Sequence, residues 1–368
     1  MQIKINRAEL LEAVSNLSRA VLSRAAIPVL EGILLSAEDD KLTMMAYNLE
    51  IGMTKIIPVR AIKTGNIVLN AKLFLEILRK LKGEEIELSV NESLMCNIKS
   101  NNASFDIAGM ASEDFPEMPS VAEHKTIKIS GNTIKSMVRQ TSFAVANNEN
   151  ARPVLTGIKF EIKNNEIKLI AIDGSRLAIR KERLITDEEI SFIVSGRAIS
   201  EAVKTIGEED EEISIRVGRK HISFEVSGYF MISRLIEGEY IDYSRTIPLQ
   251  DSGYFKVNTR EFIETIERIS LIINDQVKTP VRMNISTKEI LFSSVSAVGR
   301  ASDTLEIDYN GNEFEIGFNF RYLTEALRAS ETDEVLMKFN GPNAAAVICP
   351  TDGDSFLYLI MPMRLAWE

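Results

Sequence analysis

The chain is poor in the residues that do chemistry. Its 368 residues include one tryptophan, two histidines and two cysteines. A zinc site needs three or four well-placed ligands, and His124 and His221 stand alone, so no metal is expected. Cys96 and Cys349 lie far apart and read as buried free thiols rather than a disulfide. No apolar run reaches the roughly 18 residues that a membrane-spanning helix needs. The motifs GxxxxGK[ST], GxGxxG and GxSxG are absent, which removes the usual nucleotide-cofactor and hydrolase signatures. No cofactor is expected. The opening Met1-Gln2-Ile3-Lys4-Ile5 alternates polar and apolar residues and lacks the apolar stretch of a secretory signal. The expected location is the cytoplasm. The net charge of −10 argues against a simple nucleic-acid binder, and no aromatic–basic cluster of a nucleic-acid module is present.

What the chain does have is itself, three times over. Gln2-Ile-Lys-Ile-Asn returns as Thr126-Ile-Lys-Ile-Ser and as Tyr254-Phe-Lys-Val-Asn. Ile27-Pro-Val-Leu-Glu-Gly returns as Arg152-Pro-Val-Leu-Thr-Gly and Thr279-Pro-Val-Arg-Met-Asn. Pro28, Pro153 and Pro280 are 125 and 127 residues apart, and Glu76, Glu201 and Glu325 keep spacings of 125 and 124. A period of this length is a domain, not a solenoid repeat. Turn-rich breaks at Phe115–Pro119 and around Ile247–Gly253 set the boundaries. The expected domains are 1–121, 122–249 and 250–368.

Each domain doubles a smaller unit, an apolar strand running into a capping residue and an amphipathic helix. The expected caps are Asn6, Asn70, Ser130 (or Asn132), Ser195, Asn258 and Asn319. Glu9 and Glu261 stand three residues after their caps, as in a capping box. Leu10, Val14, Leu17 and Val21 predict one helical stripe, and Leu73, Ile77 and Leu81 another. Between helices the chain alternates in short strands such as Glu166–Ile172 and His221–Val226. The fold class is therefore α+β: three tandem domains, each with two helices and about eight mostly antiparallel strands. The windows 7–24, 71–82, 132–146, 197–205, 260–271 and 321–329 carry a net +7, leaving −17 elsewhere. Helices sharing one face would give a weakly positive surface, suited to phosphates without base reading.

Several stretches, in order and at matching spacing, resemble the bacterial sliding clamps, the DNA polymerase III beta subunit family. They are Leu30–Leu35, Asp114–Pro116, Ala171–Ala178, Glu315–Asn319 and Met361–Leu365, and the resemblance spans nearly the whole chain. It implies a non-catalytic processivity factor. Two copies would join head to tail into a ring around duplex DNA, tethering the replicative polymerase. Tethering turns rebinding into an intramolecular event, and a closed ring needs only loose phosphate contacts. The implied partners are DNA, a second copy, and the short peptides of the polymerase, the clamp loader and repair proteins. The implied setting is the bacterial cytoplasm, at replication forks on the nucleoid.

The resemblance also assigns residues. DNA contact falls to Arg24 and Arg152 in loops and to Lys72, Arg79, Lys80, Lys135, Arg139, Arg197 and Lys204 on or beside helices. The partner-peptide pocket falls to Leu155, Ile172, Gly174, Ser175, Arg176, Leu177, Ile241, Asn319, Tyr322, Met361, Pro362, Met363 and Arg364. The dimer contact falls to Phe105, Ile107, Leu271 and Ile272. Read without the family, Asp173-Gly174 is a hairpin turn and Met361–Leu365 the end of a last strand, with Pro362 at an edge. Two other functions compete at this point: a hydrolase built on Asp173 and Arg176, and a repeat-built binding protein with no DNA role. The chain departs from some members at Pro153 and Val154, at Ser175, at Ile241 and in the extension Ala366-Trp367-Glu368.

Overall fold

The computed structural model describes all residues except 123, 149, 208–211, 249–250, 274–278 and 366–368. The extension carrying Trp367 and the boundary at 249–250 lie outside the described residues. Six α-helices and 25 strands appear among those described. Every strand pairing is antiparallel, as the α+β reading expects. The helices are α1 (Arg7–Leu17), α2 (Ala71–Lys80), α3 (Gly131–Ser142), α4 (Gly196–Lys204), α5 (Thr259–Ser270) and α6 (Phe320–Ala329).

The chain divides into two compact units whose limits cut through the middle repeat. The first comprises residues 1–134 and 197–235. Its five-stranded sheet runs Arg60–Lys63, Gln2–Asn6, Glu85–Val90, Met95–Ser100, Ala103–Ala108. Its eight-stranded sheet takes four strands from each of two repeats, fused where Tyr229–Arg234 pairs with Ile51–Pro58 (Met231 opposite Met53). The second unit comprises residues 135–196 and 236–368. Its eight-stranded sheet is fused in the same way, where Arg176–Arg183 pairs with Phe356–Ile360 (Ala178 opposite Tyr358). Its four-stranded sheet runs Gly299–Glu306, Glu289–Ser296, Val281–Ile285, Phe314–Phe318.

The caps at Asn6, Asn70, Ser130, Asn258 and Asn319 form as the sequence predicts. Asn6 accepts hydrogen bonds from the Ala8 and Glu9 N–H groups, Asn70 from Leu73, Asn258 from Glu261 and Asn319 from Arg321. In the second repeat the cap is Ser130, accepting from Thr133. The stripes need correction. Leu10, Val14 and Leu17 are buried, but α1 gives way to a 3-10 turn at Ser18–Ala20, so Val21 is extended backbone beyond the helix. Leu73 is 45% exposed, and α2 buries Phe74, Ile77 and Leu78 instead. Because α1 and α2 end early, Arg19, Arg24 and Lys82 fall outside them. The helices then carry a net +4 rather than +7.

The recurrent Pro-Val-Leu-x-Gly acquires a physical meaning. Pro28 and Pro153 each open a 3-10 turn, where a missing N–H costs nothing. The glycine that follows enters a strand against neighbouring backbone. A Cβ on Gly32 would sit 2.4 Å from Val68 Cγ1, and one on Gly157 only 2.6 Å from the Val194 carbonyl oxygen. In the third repeat Val281 starts the strand directly and Asn284 replaces the glycine. We expect Asn258→Ala to cost about 1 kcal/mol, the usual loss of an N-cap, and Gly157→Ala to cost more, because rigid backbone must yield. Urea denaturation of the two variants checks the order; equal midpoints would contradict it.

Candidate functional site

The most structured candidate lies in the second unit, around the hairpin between Glu166–Ile172 and Arg176–Arg183. Asp173 shapes it. Its Oδ1 accepts from the Ser175 and Arg176 N–H groups at 2.8 and 3.0 Å, and its Oδ2 accepts from Arg176 Nε at 2.9 Å. Gly174 has φ +92° with nothing near a would-be Cβ, so backbone conformation alone favours glycine there. Arg176 is 10% exposed and heavily committed. It also pairs with Glu325 of α6, and its guanidinium lies 4.4 Å from the Tyr322 ring centroid and 5.4 Å from that of Phe143. A planar, delocalised cation suits such stacking, and lysine would not replace it.

Beside the hairpin, Leu155, Ile172 and Leu177 belong to one buried apolar cluster, with Ile241, Tyr240 and Tyr243 packed against it. The last residues close the site by backbone bonds. Met361 N–H donates to the Ser175 carbonyl and Met363 N–H to that of Gly317, both at 2.8 Å. Leu365 lies so close over Gly317 that a Cβ there would be 2.5 Å from Leu365 Cδ2. Met361 is 47% exposed; Pro362 and Met363 are half-buried and Arg364 is exposed. Asn319 caps α6, and Tyr322 joins through Arg176. The predicted pocket residues are thus linked by one hairpin, one apolar cluster and two main-chain bonds.

Sequence reasoning missed Phe143, Tyr240, Tyr243 and Glu325 as members of this neighbourhood. Only Glu325 left a signal, as a repeat marker. Tyr243 donates to Glu161 Oε2 at 2.9 Å, and Lys159 pairs with the same carboxylate at 2.5 Å. Burial pushes the Glu161 carboxyl up, but the Lys159 and Tyr243 bonds outweigh it and hold the group below the ordinary carboxylate range.

The DNA-contact candidates are surface groups. Arg24, Lys72, Arg79, Lys80, Arg139, Arg152, Arg197 and Lys204 are exposed, and Lys135 is half-buried. Arg24 lies in a loop after α1, and Arg152 caps the 3-10 turn at Pro153–Thr156. Arg139 pairs with Glu331 and Lys204 with Glu201, each at 2.7 Å. Among the described residues no group of three His, Cys, Asp or Glu is placed to hold a metal. No helix among them is long and apolar enough to cross a membrane. Burial raises the Cys96 thiol to about 12, so it is unreactive near neutral pH.

The dimer candidates sit at sheet and helix ends. Phe105 (38% exposed) and Ile107 lie on the edge strand Ala103–Ala108, Leu271 (84% exposed) caps α5, and Ile272 follows half-buried. Counted from its hairpin, Phe105 corresponds to Met231, which is buried where the first unit's sheet is fused. Counted from its helix cap, Leu271 corresponds to Phe143, whose ring packs edge-on against Tyr358 at 5.1 Å on the fused strand of the second unit.

Three family models cover these elements in order: the N-terminal, central and C-terminal domains of the DNA polymerase III beta subunit, over residues 1–119, 128–242 and 244–364. The chain belongs to the DNA polymerase III beta subunit family. It is 30% identical to the beta sliding clamp of Bacillus subtilis over 377 residues, covering 99% of this chain and all of that one. The solved B. subtilis clamp superposes with a TM-score of 0.95 at 30% identity, covering both chains fully. A beta-subunit structure from Eubacterium rectale matches at 0.93 and 32%, covering 99% of each chain. The function is that of this family, a processivity clamp of DNA polymerase III rather than a catalyst. That removes the hydrolase reading of Asp173, which instead shapes a turn and holds Arg176.

Proposed function

We propose that two copies of this chain, each of domains 1–121, 122–249 and 250–368, close head to tail into a ring that encircles duplex DNA. One observation carries the ring. Within the chain, sheets of successive repeats fuse twice, at equivalent strands. The third pair of equivalent strands, Ala103–Ala108 and Gly299–Glu306, is left as two open sheet edges. Open edges invite pairing, and a second copy offers the complementary one. Electron microscopy of the purified protein without DNA tests this: closed two-subunit rings support it, and solid particles or monomers at micromolar concentration contradict it.

The ring would hold DNA through loose phosphate contacts from Arg24, Lys72, Arg79, Lys80, Lys135, Arg139, Arg152, Arg197 and Lys204. Surface charges of this kind position DNA without reading it. Neutralising Lys72, Arg79, Lys80 and Arg197 together should lower loading on primed circular DNA and flatten its salt dependence by about one unit of log–log slope per lost phosphate contact. Unchanged loading across a salt series would remove these residues from the DNA face.

The hairpin site would take short peptides of the polymerase, the loader and repair proteins. Apolar walls with few polar anchors suit a peptide, and methionine adapts to varied side chains. Relatives from Bartonella birtlesii (29% identical, TM-score 0.93) and Pseudomonas aeruginosa (24%, 0.92) were solved bound to griselimycin, each over 99% of this chain and all of that one. On this reading, griselimycin is the probe to try at the hairpin site here. The protein would work in the cytoplasm, on nucleoid DNA at replication forks.

A further inference from the structure

The two joints inside the chain fix the register of the third. In the first half of each repeat, one strand turns back on the strand before it. That sets Pro58 opposite Lys41, Arg183 opposite Glu166 and Glu306 opposite Glu289. Met53, Ala178 and Ala301 each lie five residues before those ends, so they are equivalent. Met53 faces Met231 and Ala178 faces Tyr358 across the in-chain joints. Phe105 is the counterpart of Met231, so across the open edges it faces Ala301. The alternation of side chains supports the same register independently. Phe105 stands beside buried Ile98 and Ala301 beside buried Ser294, so both lie on the inner side of their sheets. A slip of one residue would turn one strand's inner side chains against the other's outer ones.

One residue further on, Asp106 faces Arg300. Both are exposed in the single chain. Both belong to the outer side, where Asn97 Nδ2 donates to Asp106 Oδ1 at 2.8 Å and Arg300 stands beside exposed Val295. Opposite charges facing each other on a ladder attract. The in-chain joints carry no charge at this place, since Leu177 faces Leu359 and Gly52 faces Ile232. A cation clamps them instead. Lys55 Nζ donates to the Ser227 carbonyl at 2.7 Å and Arg180 Nη1 to that of Ser355 at 3.1 Å, each across the joint. The equivalent residue of the third repeat is Asp303. It would face Ala103, and Arg268 already holds it at 2.7 Å. Over 103–107 against 299–303, Asp106, Arg300 and Asp303 are the full set of charged side chains, so the facing pair meets no competing carboxylate or cation on either strand.

We propose that a second copy of this chain lays its residues 103–107 against 299–303 in this register, and that the Asp106–Arg300 pair, formed once at each joint, selects it. The proposal rests on the head-to-tail ring read above. Sedimentation of charge-swapped chains over a concentration series tests it. Asp106→Arg and Arg300→Asp each place like charges together at both joints, and each alone should weaken dimerisation roughly 30-fold. Mixed in equal amounts, the two variants should recover parental dimerisation to within about threefold. Their mixed ring has one native joint and one reversed joint, and its recovery shows that both variants fold. The doubly swapped chain should dimerise like the parent. If the parent dimerises but the single variants dimerise equally well, or fail to recover on mixing, the register falls while the ring stands. A parent chain that stays monomeric at micromolar concentration overturns both.

Discussion

The double variant Phe105→Ala with Leu271→Ala should sediment as a folded monomer at concentrations where the parent chain is dimeric. Both side chains are large, apolar and exposed in the single chain, at 38% and 84%. Removing them should therefore leave the fold of each copy intact. In the ring each would be buried, and burying such a side chain contributes roughly 1.5–3 kcal/mol. The geometry of the in-chain counterpart suggests how, since Phe143 meets Tyr358 edge-on at 5.1 Å. A head-to-tail dimer has two identical joints, so every loss counts twice. Scaled by those exposures, even the low end of the range gives about 4 kcal/mol over the two joints, which weakens dimerisation roughly 10³-fold. Ile107 is a poor choice for this test, because it is already 9% exposed in the single chain and its loss would damage the first sheet. Analytical ultracentrifugation with a parallel thermal melt distinguishes the cases. A variant that remains dimeric at nanomolar concentration would refute the joint. A variant that melts early would mean that these side chains belong to the core of one copy.

The sequence made the period, the caps and the alternation legible because each is a local rule repeated many times. Six capping residues at helix starts could be read from their neighbours alone, and Asn6, Asn70, Ser130, Asn258 and Asn319 accept the expected bonds. The stripes were less legible. In α2 the apolar residues Leu73 and Phe74 are adjacent, and spacing alone cannot say which faces the sheet. In α1 the i, i+11 position lies past a helix end that the 3-10 turn at Ser18 brings forward. What could not be read at all was long-range. Arg176 meets Glu325 across 149 residues of chain, and the eight-stranded sheets combine strands from two repeats. A tandem repeat announces that three similar domains exist. It does not say that their sheets merge, and the open edges that imply a ring follow only from that merger.

If the hairpin site takes griselimycin as proposed, that binding should be lost when Met361 and Met363 are both changed to Ser. Both residues are held by their backbones, through the Ser175 and Gly317 carbonyls, so the substitutions change the wall and leave its path. Met361 is 47% exposed and gains most from a ligand laid over it. Losing two thioether side chains from a contact should cost about 3–5 kcal/mol, or roughly 10²- to 10⁴-fold in affinity. Arg176→Lys should act differently. Lysine keeps the charge but cannot stack on Tyr322 and Phe143 while pairing with Asp173 and Glu325. Its loss should therefore appear first as a looser hairpin, with faster amide exchange at Ser175 and Arg176, whose N–H groups Asp173 now holds. If Arg176→Lys weakened binding without altering that exchange, Arg176 would be a direct peptide contact. If the paired Met→Ser variant bound griselimycin as tightly as the parent chain, the ligand would have to sit elsewhere on the clamp.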